Sequence, residues 1–410
     1  MEGRSAVVLV DPILSGRGLI DAVRRRGHAA VAVINLPESL LGHVALPSDE
    51  ECELVLYERE AERIAGLVRD RGYDVRAVIS GVEPGVILAD QLAHRLGLRH
   101  NELETLAARR DKYEMKLRAR AAGLRCARAR RCFDEQDLAS FAAEVGYPVV
   151  LKTPSGTASI GVHRCDDWER LRAGFAAILS EPDLMGQRAD HALAEEYLRG
   201  GELVVDTFSD ERGVRVTDLW EYRKLETAAG SFVYYDTVQV PPSHPGAAAA
   251  GDYAVALVAA LGVRYGAAHC EIKLTPEGPV MVELNARLAG GRLPEMMRKT
   301  STFDPYEATL DAYLDGAART EWPVRALRWA ASACCQIERA GRVRAIHGLD
   351  EILRLPSYDS HRLTVQVGDE VAPTESIWGV PLIVWLAHPE REVVARDAAR
   401  VHACFALEVA

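Results

Sequence analysis

The 410-residue sequence has no CxxC pair and no regular cysteine spacing; its eight cysteines are scattered, with Cys334-Cys335 the one close pair. That pattern disfavours a zinc site and a disulfide framework, and a reduced, cytoplasmic setting is expected. An excess of basic charge is also missing. At a formal net charge of -11 the chain is ill suited to gripping nucleic acid by neutralising phosphates. Its Arg-rich pieces, Arg24-Arg25-Arg26 and those from Arg118 to Arg131, read as solvated helix faces. No apolar run reaches the roughly 18 residues needed to span a bilayer, and the sequence opens straight into a strand rather than a signal peptide. A membrane partner is not expected. There is no internal repeat, and Ala247–Ala250 is the sole low-complexity patch. What is present, 48% hydrophobic and 27% charged residues, is ordinary for a globular protein of two to four domains with ample core.

The first hundred residues alternate strand and helix. Strands are expected at Ala6–Val10, Ala29–Ile34 and Val75–Ser80, and helices at Leu19–Arg26, Glu58–Arg71 and Val86–Leu96. This alternation predicts a parallel sheet covered on both faces. The Ser15-Gly16-Arg17-Gly18 loop stands at a helix N-terminus, where anions can bind. It lacks the third glycine of a dinucleotide fingerprint, so NAD is rejected and a plain turn preferred. Ser80–Gly85 follows a strand and opens a helix, where ligands gather in such sheets. There Glu83 either accepts hydrogen bonds from a substrate amine or is a first-turn acid favoured by the helix dipole.

Gly266–Gly291, GAAHCEIKLTPEGPVMVELNARLAGG, carries the most information. Two apolar-alternating runs flank a turn signal, Thr275-Pro276-Glu277-Gly278-Pro279, which predicts a β-hairpin. A turn centred on Glu277 sets Glu271 opposite Glu283 and His269 opposite Asn285, with Cβ atoms about 4.5–5.5 Å apart. Period-two alternation then places His269, Glu271, Glu283, Asn285 and Arg287 on one face, and Val282 and Leu284 on the other. Facing carboxylates repel unless a proton, an Arg or a cation compensates. Two carboxylates and a carboxamide oxygen, without a thiol or paired imidazoles, suit a hard cation such as Mg²⁺, with Mn²⁺ as the alternative. Arg287 is a planar donor for phosphate or carboxylate. A metal beside an Arg is the arrangement that holds a nucleotide triphosphate. The bland reading is a wet sheet face.

Upstream, Asn101–Arg110 is expected to be helical, and Asp111 opens a second helix ending near Gly123. Gly146–Lys152 reads as a strand ending on Lys152, which leads into Thr153–Gly161. Ser155, Gly156, Thr157 and Ser159 offer N–H and O–H groups to cradle phosphates, although no Gly-Lys-Ser/Thr follows to make a Walker A loop. Strands at Leu193–Leu198 and Glu202–Phe208 flank the Arg199-Gly200-Gly201 turn. In Leu219–Val238, Tyr222, Arg223 and Lys224 either approach the γ-phosphate or the acceptor, or belong to a solvated loop around Ala228-Ala229-Gly230. A helix, Ala247–Leu261, leads into the hairpin.

Glu271, then Glu283-Leu284-Asn285-Ala286-Arg287, then Gly290-Gly291, resembles the metal-binding core of the ATP-grasp superfamily. That resemblance implies an α/β (in part α+β) ATP-grasp fold. Its parts would be an N-terminal parallel-sheet pre-ATP-grasp domain (1–105), a two-lobed ATP-grasp domain (106–200 and 201–317) and a mostly β C-terminal lid subdomain (318–410). It implies that Glu271, Glu283 and Asn285 bind Mg²⁺ between the β- and γ-phosphates of ATP, and that Arg287 contacts phosphate or the acyl intermediate. Lys112 and Lys152 match the two phosphate lysines. Glu195 and Leu198, with Glu196 counted in the same group, match the adenine clamp, and Glu202 matches the ribose acceptor. Gly290 and Gly291 precede a helix, Leu293–Lys299, and their N–H groups could hold a carboxylate or an oxyanion.

From Arg328 onward strands are expected at Ala330–Ile337, Gly341–Ile346, Arg362–Val367 and Leu382–Ala387, followed by a helix, Glu390–Phe405. This tail, together with both runs of the hairpin, resembles the bacterial L-amino-acid ligases, which make dipeptides. The expected activity is an ATP-dependent carboxylate–amine ligase working through an acyl phosphate, with Lys152, Arg287 and His269 as its catalytic residues. His269 either accepts the amine proton or is an ordinary strand histidine. Glu83, Lys224, Arg287, Gly290 and Gly291 are the substrate-side candidates. The rival readings are a bicarbonate-activating carboxylase of the same superfamily and a non-catalytic nucleotide-binding protein. A homodimer is what the family suggests.

Overall fold

Ala6-Val7-Val8-Leu9-Val10 is apolar at every position because the strand it forms is buried on both faces. The structure, a computed structural model, describes residues 3–410 except 43, 155, 157–160, 181–185, 187 and 228–229. Strands β1 (Arg4–Val10), β2 (Ala29–Ile34), β3 (Leu54–Tyr57) and β4 (Tyr73–Ser80) pair in parallel in the order β3-β2-β1-β4. On one face Ala6, Val8 and Val10 meet Ile64 and Val68 of helix Ala61–Asp70 and Leu88 and Leu92 of helix Val86–Arg95. On the other, Val7 and Leu9 meet Leu19 and Val23 of helix Gly18–Arg25, and Tyr306 and Leu310 of helix Pro305–Asp315. That last helix comes from much later in the chain. Arg26 fastens it, bonding Glu307 at 2.8 Å and Asp311 at 2.7 Å.

Asn101–Arg110 is not the helix its composition suggests. It forms two short 3₁₀ turns, Leu103–Thr105 and Ala107–Arg109. Thr105 Oγ1 and Arg109 Nη1 both donate to the carbonyl of Leu261, at 2.9 and 3.1 Å, so tertiary bonds hold the segment in place of a helical ladder.

Strands β5 (Ala129–Cys132), β6 (Val149–Lys152), β7 (Val162–Cys165) and β8 (Ala192–Glu196) form an antiparallel sheet, ordered β5-β8-β6-β7. One face, with Val149, Leu151, Ala192 and Ala194, packs on Phe141 of helix Glu135–Val145 and Leu171 of helix Trp168–Ser180. Alternation turns Lys152 and Glu195 to the opposite face.

The third sheet has eight strands. β9 (Gly201–Asp210), β10 (Gly213–Glu226), β11 (Phe232–Gln239), β12 (Gly266–Thr275), β13 (Gly278–Asn285) and β14 (Trp329–Cys335) run in the order β13-β12-β9-β10-β11-β14. Leu382–His388 and then Tyr358–Leu363 continue it. The C-terminal strands therefore prolong the sheet that carries the hairpin. The strand expected at Arg362–Val367 lies earlier, at Tyr358–Leu363. Helix Ala247–Ala260 covers one face, with Leu257 and Val258 against Val205, Cys270 and Leu284. Helix Arg391–Cys404 covers the same face further along. The other face carries Val204, Trp220, Cys334 and Trp385 and borders the polar site described next. All eight cysteines are free. Among the described residues, no helix is long and apolar enough to cross a membrane.

Candidate active site

The hairpin pairs as the sequence foresees at its polar end: Glu271 faces Glu283 and His269 faces Asn285. The route to that register differs. The turn is one residue tighter, with Thr275 opposite Gly278. Strict pairing from there would set Glu271 against Val282. A register shift between Glu271 and Ile272 inserts Val282 as an extra residue on β13 and restores the match of the two acids. Met281, in place of Val282, consequently joins Leu284 in the core. Ala268, Cys270 and Ile272 also point into that core, which turns His269, Glu271 and Lys273 toward the site.

Each of the two facing carboxylates is held by its own lysine. Lys224 Nζ stands 3.4 Å from Glu271, and Lys112 Nζ stands 3.1 Å from Glu283. Lys112 is the first residue of helix Lys112–Ala121, whose N-cap Asp111 accepts from the N–H groups of Tyr113 and Glu114. Lys112 also donates to the carbonyl of Gly156 at 2.6 Å. Burial, aided by Glu202 and Glu283, pushes the Glu271 carboxyl up despite Lys224. Burial acts the same way on Glu283, but Lys112 and Lys152 outweigh it and hold that carboxyl below its ordinary value. Burial works against the charge on Lys112 too, and Glu283 and Glu83 overcome it.

Glu195 is buried between two cations, Lys152 at 2.9 Å and Lys116 at 2.7 Å. Burial would raise its pKa; the two lysines reverse that and hold it at about 2. Glu196 turns the other way, to the backbone N–H and guanidinium of Arg128 at 2.8 and 2.9 Å. Leu198 is half-buried just after β8. Glu202 lies between Lys224 at 2.6 Å and Lys273 at 3.1 Å, and these lysines overcome burial to keep it ionised, at about 2. Of the loop residues singled out in the sequence, Ser155, Thr157 and Ser159 lie outside the described residues. So do Ala228 and Ala229.

At the other end of the site, Glu83 is buried and ion-paired with Arg110, with Arg287 Nη2 3.8 Å away. Burial is the main cause of its raised pKa. Gly290 and Gly291 are exposed; the carbonyl of Gly291 accepts from Trp385 Nε1 at 2.8 Å. His269 is buried, with Nδ1 2.7 Å from Asp206 and Nε2 3.0 Å from the Tyr222 hydroxyl and 3.9 Å from Glu271.

Sequence reading passes over Lys116, Asp206, Arg110 and Lys273. Three of these had a usable signal, Lys273 because it follows Glu271 at an even spacing on β12. Lys116 follows Lys112 by one helical turn and so shares its face. Asp206 follows Glu202 at an even spacing along β9, on the site face. Arg110 had none, because its approach to Glu83 depends on how the first sheet docks.

Among the described residues, no group of three or more His, Cys, Asp or Glu is placed to hold a metal by itself. Glu271 and Glu283 supply two carboxylates, and Asn285 adds a buried Oδ1 with no hydrogen-bond partner among the described residues. Such an all-oxygen donor set suits a hard cation that draws its remaining ligands from phosphate and water.

Family profiles match residues 145–295 to the ATP-grasp domain and 334–410 to the L-amino acid ligase C-terminal domain 2. The chain is 28% identical over 304 residues to dapdiamide A synthase of Enterobacter agglomerans, covering 73% of this chain and 71% of that protein. Its fold is similar to that of L-amino acid ligase from Bacillus licheniformis, with a TM-score of 0.80 and 18% identity over the full length of both chains. It is also similar to the biotin carboxylase domain of Hydrogenobacter thermophilus 2-oxoglutarate carboxylase, solved with MgADP and bicarbonate. There the TM-score is 0.67 at 16% identity, covering 100% of this chain and 91% of that one. At such identities these two likenesses bear on the fold. Residues 145–295 thus match the ATP-grasp domain, and residues 334–410 match the C-terminal domain of the L-amino acid ligases.

Proposed function

We propose that this ATP-dependent carboxylate–amine ligase joins an amino acid or related acid to an amino-acid amine through an acyl phosphate. The observation that carries the proposal is the opposition of Glu271 and Glu283, with Asn285 beside them and Lys112 and Lys152 converging on Glu283. Glu271, Glu283 and Asn285 would hold a divalent cation, Mg²⁺ or Mn²⁺. When bound, that ion neutralises charge on the β- and γ-phosphates.

Lys112 and Lys152 supply fixed positive charge where phosphoryl transfer needs it. Glu202, kept ionised by its two lysines, is the acceptor for the ribose hydroxyls. Leu198 and the β8 backbone face adenine, and Glu195 holds Lys152 and Lys116 beside it. Glu196, engaged by Arg128 on the opposite face of β8, is left out of that group. By their N–H and O–H groups alone, Ser155, Gly156, Thr157 and Ser159 are the candidates for binding the phosphates.

The substrate carboxylate attacks the γ-phosphorus and ADP departs. An amine nitrogen then bonds to the acyl carbon, the carbon–oxygen bond to phosphate breaks, and phosphate leaves with the electron pair. The proton lost from nitrogen passes to phosphate or water. Arg287, tethered near Glu83, neutralises the acyl phosphate. The N–H groups of Gly290 and Gly291 receive the developing oxyanion. The acids and amines of the dapdiamide and L-amino acid ligase reactions are the substrate classes to test first.

The test is turnover of ATP, a divalent metal and amino-acid pairs. ADP and phosphate should form with an amide, and hydroxylamine in place of the amine should trap a hydroxamate. AMP with pyrophosphate would replace this mechanism by adenylation, and ADP release that needs bicarbonate but no amine would point to a carboxylase.

A further inference from the structure

Arg292 and Arg362 stand over the apolar half of the site-bearing face, and among the described residues neither has a carboxylate partner. The eight-stranded sheet continues from β14 into Leu382–His388 and ends on Tyr358–Leu363. Ile383 and Trp385 share one apolar cluster with Trp220 and Ala289, and Tyr222 and Tyr234 pack against it. Lys224 Nζ, the partner of Glu271, lies over the rings of those two tyrosines, 5.2 and 5.0 Å from their centroids. This face therefore runs from the facing acids to the last two strands. Ser360 is opposite Trp385 and Arg362 opposite Ile383, which puts both on it.

Arg292 directly follows Gly291, whose carbonyl accepts from Trp385 Nε1 at 2.8 Å. Its backbone is left-handed, with φ of 63°, a conformation uncommon for a residue with a side chain. Its guanidinium carbon lies 4.9 Å from the centroid of the Trp385 ring, and Nη1 donates to Ser360 Oγ at 3.2 Å. Ser360 takes one of five N–H donors. Arg362 follows Ser360 by two residues, about 6.6 Å along the strand. Partial burial lowers its pKa, opposed by the Cys334 thiol and not by a carboxylate. Neighbouring cations are engaged: Arg298 bonds Asp304 at 2.9 Å, and Lys299 bonds Asp359 at 2.8 Å.

Two guanidinium groups anchored this near each other favour an anion between them, and their planar forks suit a carboxylate. In the ligase reaction the acid substrate spends its carboxylate at the γ-phosphorus, and the phosphates lie with the facing acids, Lys112 and Lys152. The anion left over is the carboxylate carried by an amino-acid amine.

We infer that Arg292 and Arg362 bind the free carboxylate of the amine substrate and so select amino acids over plain amines. The inference rests on the ligase reading above.

The experiment offers the acyl phosphate each standard L-amino acid beside its α-carboxamide, with hydroxylamine as a nucleophile that has no carboxylate to recognise. Wild-type protein should prefer the free amino acid about tenfold or more in kcat/KM, as expected of a charge-assisted bond. Arg292→Gln and Arg362→Gln should each raise the KM for the amino acid. The double variant should use acid and carboxamide about equally, and hydroxamate formation should stay within about twofold. Arg292→Lys should keep part of the preference. Wild-type protein that uses the carboxamide as well as the amino acid overturns the inference. So does an equal fall with all three nucleophiles, or a rise in KM confined to the carboxylate donor. Wild-type protein that yields no hydroxamate overturns the acyl-phosphate reading itself, an outcome distinct because it precedes any substitution.

Discussion

Glu271 and Glu283 face each other across neighbouring strands, and each is compensated by a different lysine, Lys224 at 3.4 Å and Lys112 at 3.1 Å. The two lysines come from opposite sides, one from β10 and one from a helix N-terminus. The carboxylates are thereby driven apart in acidity, Glu271 upward by burial and Glu283 downward by its two cations. A divalent ion between them would favour ionisation of both.

Replacing Glu195 should destabilise the protein more at neutral pH than in acid. Its carboxyl is depressed from 4.5 to about 2, because Lys116 and Lys152 outweigh burial. A depressed carboxylate contributes fully above its unfolded pKa and loses that contribution as pH falls toward the folded value. The shift corresponds to roughly 3 kcal/mol. Glu195→Gln also strands Lys116, at 1% exposure, so the loss at pH 7 should be about 3–5 kcal/mol. Urea denaturation of both proteins at pH 7 and pH 3 checks this; the gap should narrow in acid.

Glu202→Gln should raise the KM for ATP about tenfold or more with a smaller change in kcat, as expected for loss of a charge-assisted bond to a group that does not react. Lys224 and Lys273 each lose a partner at once. Nucleotide-dependence curves distinguish this from a loss of chemistry.

Gly81→Ala should damage the acceptor side through packing. A Cβ at Gly81 would overlap the carbonyl oxygen of Asp11 and come within 2.7 Å of Pro12 Cα, both backbone atoms that cannot swing aside. Overpacking of this kind costs about 1–3 kcal/mol. The same shift would displace Glu83, two residues on. Thermal melting should fall by several degrees, in line with that cost, and the KM for the acid should rise.

The hairpin was legible because its polar face alternates strictly over His269, Glu271, Glu283 and Asn285, and alternation survives in a single sequence. The bulge at Val282 was not, since one extra residue leaves no mark until the core selects Met281. The parallel sheet was legible from its all-apolar β1, whereas β3, four residues long, is too short to show a period. Helices Glu135–Val145 and Trp168–Ser180 went unread, although both have helical length and apolar spacing. The Asn101–Arg110 segment was misread because bonds to Leu261 override local preference. Lys116 was hidden by an ordinary basic helix, although its spacing from Lys112 fits one face.

The most direct test is the divalent-cation dependence of ADP release in wild-type protein, Glu271→Gln and Glu283→Gln. Each substitution should lower turnover about 100-fold or more, the effect of removing several kcal/mol of charge stabilisation, and should raise the cation concentration required. Either variant turning over within a few-fold of wild type at an unchanged cation requirement would contradict the account.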